Sequence, residues 1–302
     1  MQNFDAQAAM AELLTRHGDL ALPEPAQAPA APGDAVFQAV RQACLRLGFI
    51  APDADAVARA WARQSERSGR FDAAAWPEAP EDFGLAPWPR AQAFAPCPPA
   101  LGLYAVLPDA AWVGRMARAG VPTVQLRFKS DDASAIEREV RAAVQAVAGT
   151  GALLFINDHW QAAIRAGAYG VHLGQEDLDA LSASDVAALR GSGLRLGVST
   201  HGYAEMLRAD AFSPSYMALG AVFPTTLKRM ATAPQGTGRL ARYARLMRAY
   251  PLVAIGGIDA ERLPQVLASG VGSVAVVRAL VQAVDPEATA HEWMARLSLA
   301  RS

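Results

Sequence analysis

The sequence predicts an α/β chain, a (β/α)8 TIM barrel preceded by a helical, Pro/Ala-rich N-terminal extension. Three observations carry that prediction. From Leu101 onward, short apolar runs alternate with segments of helical period, and eight such units follow one another over about 200 residues. The runs lack the period-2 alternation of a half-exposed sheet, as expected where helices cover both faces of a parallel one. Gly120, Gly167 and Gly270 each follow a helical segment, where the left-handed C′ position is easiest for glycine. A doubly wound open sheet would leave the eighth unit unexplained.

Residues 1–99 read as the extension and 100–302 as the barrel. Residues 21–34, rich in Ala and Pro, read as a linker. Val36, Val40, Cys44 and Leu47 then form one apolar stripe of a helix, and 56–64 suggests a second. Residues 76–99 are dense in Pro, with Trp76 and Trp88 able to pack on something larger. The extension shows no chemistry and reads as a docking or interaction appendage. In the barrel the expected strands are 101–107, 123–129, 152–158, 170–173, 195–200, 216–223, 252–258 and 273–280. The expected helices are 111–119, 133–147, 160–166, 185–190, 203–208, 239–249, 260–268 and 287–299.

Composition excludes several classes. A chain of 302 residues, 52% hydrophobic, can bury a substantial core. A net charge of −1 argues against a general nucleic-acid or membrane-surface role, so any anion recognition must be local. Two cysteines, Cys44 and Cys97, fit a reducing compartment without a disulfide framework, and neither has zinc-site neighbours. Residues 1–14 lack a basic segment followed by an apolar core, and no long apolar stretch follows. The expectation is a soluble cytoplasmic protein acting on small molecules, with no nucleic-acid or membrane partner; a homo-oligomer is left open.

The active site of such a barrel lies at the C-terminal rim of its strands, and the polar clusters of this chain fall there. Asp158 and Asp177 follow the third and fourth strands. Two carboxylates on adjacent loops suit Mg2+, which also keeps waters and substrate phosphate oxygens. Each could instead cap the helix after it, worth about 1 kcal/mol, and Glu176 is an alternative ligand. Arg127 and Lys129, two residues apart on the second strand, share a face and suit a diphosphate, although strand-end salt bridges are the plainer alternative. Ser199-Thr200-His201 closes the fifth strand; the serine could donate to an anion or a ring, and His201 could only cap a helix.

His172, inside a short apolar strand, reads as a satisfied core histidine. With neither cysteine near a base, covalent catalysis is not expected. A long connection from Pro224 to Gly238 carries Thr225, Thr226, Leu227 and Lys228, and loops of that length are usually functional. Lys228 is a third candidate cation, or a solvated lysine. Gly256-Gly257 and Val277-Arg278 close the last two strands, where this fold commonly binds phosphate through backbone N–H groups.

These residues resemble the thiamine-phosphate synthase family. The similar pieces are Gln125-Leu-Arg-Phe-Lys129, Phe155-Ile-Asn-Asp158, Gly170-Val-His-Leu-Gly-Gln-Glu-Asp177, Gly197-Val-Ser-Thr-His201, Val222-Phe-Pro-Thr225 and Ala254-Ile-Gly-Gly-Ile258, in that order over two-thirds of the chain. The resemblance implies a Mg2+-dependent transferase joining 4-amino-2-methyl-5-hydroxymethylpyrimidine diphosphate to a thiazole phosphate, with release of diphosphate. It further implies that Gln125, Arg127, Lys129, Asn157, Ser199 and Lys228 hold the pyrimidine diphosphate, and that Asp158 and Asp177 hold the metal. Thr225, Thr226, Leu227, Gly257, Val277 and Arg278 would surround the thiazole phosphate. Catalysis would fall to Arg127, Lys129, Lys228 and Ser199.

Two positions depart from the family pattern: Leu227 stands where it has threonine, and Arg278 where it has serine. Two other readings stay open. One is a thiazole tautomerase of the same structural family with His201 as proton shuttle; the other is a non-catalytic thiamine-phosphate binder whose working part is the extension.

Overall fold

The computed structural model describes residues 4–87, 90–225 and 232–299. Asp5 accepts from Gln7 N and Ala8 N to start α1 (Ala6–Arg16), and Asp34 accepts from Phe37 N to start α2 (Ala35–Arg46). Helix α3 (Ala51–Ser68) begins on a proline in its first turn and ends at Gly69 with φ +74°. It is longer than the 56–64 expected, and α1 was not foreseen. Residues 21–34 contain no helix or strand, but backbone bonds from Leu22 N to Leu47 O (2.9 Å) and Ala26 N to Leu45 O (2.8 Å) hold them along α2.

The barrel alternates as β1 (Gly102–Leu107), α4 (Ala110–Arg118), β2 (Thr123–Leu126), α5 (Ala133–Val147), β3 (Leu153–Asn157), α6 (Trp160–Ala166), β4 (Gly170–Leu173), α7 (Gln175–Ala180) and α8 (Ala183–Gly191). It continues with β5 (Arg195–Thr200), α9 (Tyr203–Phe212), β6 (Tyr216–Leu219), α10 (Gly236–Leu246), β7 (Leu252–Ile255), α11 (Leu263–Leu267), β8 (Ser273–Val276), α12 (Arg278–Val281) and α13 (Pro286–Leu299). All eight strands are parallel, and β8 pairs β1 in the register Gly102↔Ser273, so the sheet closes. The expected fold class is the observed one.

Strand ends differ from expectation. β2, β6, β7 and β8 stop three or four residues early, at Leu126, Leu219, Ile255 and Val276, where the chain turns into loops. Arg127 and Lys129 therefore sit on the loop after β2, not on the strand pleat; Arg127 N keeps one last bond to Leu107 O at 2.8 Å.

Two apolar clusters result. One fills the barrel interior, with Tyr104, Phe155, Tyr216 and Val253 among its members. The other runs between strands and helices and continues without a break into the extension through Phe49, Trp61 and Trp76. The extension packs against α9 and α10. Trp76 Nε1 donates to Tyr203 Oη at 2.9 Å, and Phe83 stacks on the Tyr203 ring at 5.3 Å. Arg239, almost fully buried, donates to Leu20 O and Leu47 O and lies 3.5 Å over the Phe49 ring. Trp88, expected to pack in the same way, lies outside the described residues.

Candidate active site

At the C-terminal rim a cavity of about 770 Å³ opens into the barrel. Gln125, Arg127, Lys129, Asn157, Asp158, Asp177, Ser199, Thr225, Gly257, Val277 and Arg278 all line it. Thr226, Leu227 and Lys228 lie outside the described residues. Three of these positions are on strands, and the rest are on the loops and helix starts that follow them. Gln125 and Asn157 project inward from β2 and β3, and Ser199 is the penultimate residue of β5.

Asp158 does not cap the helix after it. Its φ is +64°, a conformation uncommon outside glycine, and its N–H donates across to His172 O at 3.0 Å. That bond to the next strand turns the carboxylate toward the rim. Asp177 does cap: Gly174 N donates to its Oδ2 at 2.7 Å, yet it also faces the cavity.

The two carboxylates share one electrostatic neighbourhood with the cations. Burial raises the Asp158 carboxyl above its ordinary value, and the Asp177 carboxylate raises it further. Lys129, His159 and Arg127 pull it back down. The Asp177 charge thus disfavours the ionised form of Asp158, and a hard divalent cation would relieve that repulsion. Two carboxylates with open positions for substrate oxygens match the donor set Mg2+ commonly takes. No cluster of three or more His, Cys, Asp or Glu ligands occurs among the described residues, so any ion here would need oxygens from substrate or water.

Several lining residues escaped sequence reasoning. Tyr104 and Tyr216 lie within apolar runs and carry no signal separating them from core. Glu205 accepts from His201 N at 2.9 Å and contacts His201 Nδ1 at 2.6 Å; its position four residues later was the available signal. Arg262 donates to Gly257 O at 2.7 Å and covers the Phe223 ring. His172 is a satisfied buried histidine as expected, but it also lines the cavity.

Gly256 and Gly257 have φ values of +104° and +63°. A Cβ at 257 would fall 2.5 Å from Pro224 O, so glycine is required there for packing of the loop after β6. Both cysteines are free, and burial pushes the Cys97 thiol up to about 12 and Cys44 upward too, so neither is a ready nucleophile.

Residues 103–280, more than half of the chain, match the family model described as thiamine monophosphate synthase. The chain belongs to that family. It is similar to thiamine-phosphate synthase of Neisseria meningitidis serogroup B, 52% identical over 202 residues, covering 67% of this chain and 97% of the relative. The Klebsiella pneumoniae thiamine-phosphate synthase is also 52% identical, covering 67% of this chain and 94% of its own. Among solved structures, a thiamine phosphate pyrophosphorylase from Pyrococcus furiosus superposes with TM-score 0.58 at 25% identity, covering 67% of this chain and 98% of that one. Thiamine monophosphate synthase family membership makes the chain an enzyme of the transferase class in thiamine biosynthesis. The first hundred residues lie outside the family match.

Proposed function

We propose that this chain condenses 4-amino-2-methyl-5-(diphosphooxymethyl)pyrimidine with thiazole phosphate, giving thiamine phosphate and diphosphate, with Mg2+ at Asp158 and Asp177. The observation that supports it is the convergence of Asp158 and Asp177 with Arg127 and Lys129 on one cavity. An acidic pair beside a basic pair is what a metal-bound diphosphate requires and what a plain phosphate site does not.

The chemistry divides among the side chains. Gln125, Asn157 and Ser199 hold the pyrimidine, with Lys228 assigned beside Arg127 and Lys129 to its diphosphate; Thr225, Gly257, Val277 and Arg278 border the space for the thiazole phosphate, and Thr226 and Leu227 belong to that second assignment. The bond from the pyrimidine methylene to diphosphate breaks, and the thiazole nitrogen attacks the carbon left behind. Negative charge grows on the leaving oxygen, so Arg127 and Lys129 act more strongly on the transition state than on the ground state. Mg2+, when bound, supplies Lewis-acid stabilisation of that departing group. A ring nitrogen lone pair needs no general base.

The test is incubation of the purified protein with both substrates and Mg2+, measuring diphosphate release and thiamine phosphate formation together. Stoichiometric appearance of both is expected; neither product appearing rejects the reading. His201, held by Glu205 at the cavity wall, favours a second reading as a thiazole tautomerase. In that case the thiazole isomer would change without any diphosphate release.

A further inference from the structure

Beneath the rim, four hydrogen bonds join five side chains across the barrel. Gln125 Nε2 donates to Tyr104 Oη at 3.0 Å, and Tyr104 Oη lies 2.8 Å from Tyr216 Oη. Tyr216 Oη lies 2.6 Å from His172 Nδ1, and His172 Nε2 lies 2.7 Å from Ser199 Oγ. The niche for this chain of bonds is cut by glycine, since a Cβ at Gly197 would fall 2.1 Å from the Tyr216 ring. Burial raises both phenols, so each keeps its proton.

A hydroxyl has one proton to give. Tyr104, receiving from the Gln125 amide, gives its own to Tyr216, and Tyr216 gives its own to His172 Nδ1. A neutral imidazole accepting at Nδ1 carries its proton on Nε2, and so donates to Ser199. The Ser199 proton is then left for an occupant of the cavity, while the other end of the Gln125 amide, Oε1, offers an acceptor. Turning that amide by 180° reverses every bond and both ends together.

We propose that Tyr104, Tyr216 and His172 are positioning residues that couple Gln125 to Ser199 as one matched acceptor–donor pair for a heteroaromatic amine. This rests on the reading that Gln125 and Ser199 hold the aminopyrimidine. An aminopyrimidine edge presents an amino donor beside a ring-nitrogen acceptor, which is the complement of the pair as it stands. A pyrimidinone edge, with carbonyl and ring N–H, is met only after the whole relay turns round. Discrimination between the two rings thus resides partly in buried residues that need not touch the substrate.

Two measurements test this on the full chain. In the ligand-free protein carrying 15N-labelled histidine, His172 (assigned by its loss in His172→Gln) should be the tautomer protonated at Nε2. Tyr104→Phe and Gln125→Leu each remove a link away from the imidazole, and each should turn that single tautomer into a mixture. Ring spectra identical to wild type in both variants overturn the coupling. In turnover with the two substrates, Tyr216→Phe should lower kcat/KM about tenfold. In the Ser199→Ala background the same change should cost less than about twofold. Equal losses in both backgrounds overturn the proposal. Absence of diphosphate release from wild type rejects the substrate reading alone, and the ring spectra still decide the relay.

Discussion

Asp53, in the extension, accepts a hydrogen bond from Ala204 N at 2.8 Å and so caps α9 from a position 151 residues away. Gly202 makes room for it, because a Cβ there would fall 2.0 Å from Asp53 Oδ2. The contact lies just beyond Ser199 and His201, so a segment outside the family match fixes the turn that leaves β5 and carries the cavity-lining His201.

Burial raises the Asp53 carboxyl to about 6, against the lowering effects of the Ala204 N–H, Arg239 and His201; Glu205 raises it further. In the unfolded chain the group titrates at its ordinary value, near 3.8. Between these values the folded protein holds a proton that the unfolded chain has lost, so stability falls as pH rises from about 4 to about 6 and then levels off. The fall is on the order of 2–3 kcal/mol. Urea denaturation across that window should show it in wild type, and Asp53→Asn should abolish this component.

Arg239 ties α10 to the extension through two backbone carbonyls and the Phe49 ring. Arg239→Ala removes a buried fork and its packing together, and should destabilise the fold by about 2–4 kcal/mol. Chemical denaturation of the variant checks this; unchanged stability would mean that the extension contributes little to holding α10.

Lys129 is exposed and Arg127 half-buried, so neither supports the core. Lys129→Ala should lower turnover by about a hundredfold, roughly 3 kcal/mol of transition-state stabilisation, with the melting temperature unchanged. Steady-state kinetics beside a thermal melt distinguishes this from general damage.

Gly257→Ala forces a left-handed residue and a Cβ against Pro224 O. A stability loss of about 1–3 kcal/mol is expected, together with a raised KM for thiazole phosphate as the loop after β6 shifts. An unchanged melting curve would show that the loop gives way freely.

Much of this was legible in the sequence for local reasons. Polar residues closing apolar runs pointed to Asp158 and Ser199 as rim positions, because a parallel strand buried on both faces turns polar only at its end; Gln125 and Asn157 came from the family resemblance. The helices over Ala133–Val147 and Trp160–Ala166 followed from apolar periodicity.

What escaped was non-local. The backbone of Asp158 is set by His172 O on the neighbouring strand, and the Asp53 cap depends on a fold already formed. Tyr104 and Tyr216 look like core residues because each hydroxyl is satisfied by other buried groups rather than by anything nearby in sequence. Arg127 and Lys129 reach the same cavity, but from a loop, since an apolar run does not mark where the hydrogen-bonded ladder ends.

Calorimetric titration of inorganic diphosphate, with and without Mg2+, addresses the site most directly. Wild type should bind diphosphate tightly only with Mg2+, and Asp158→Asn, Asp177→Asn and Arg127→Ala should each weaken binding about a hundredfold, by roughly 3 kcal/mol. Binding that ignores Mg2+ and survives all three substitutions would contradict the assignment of this rim to a metal-bound diphosphate.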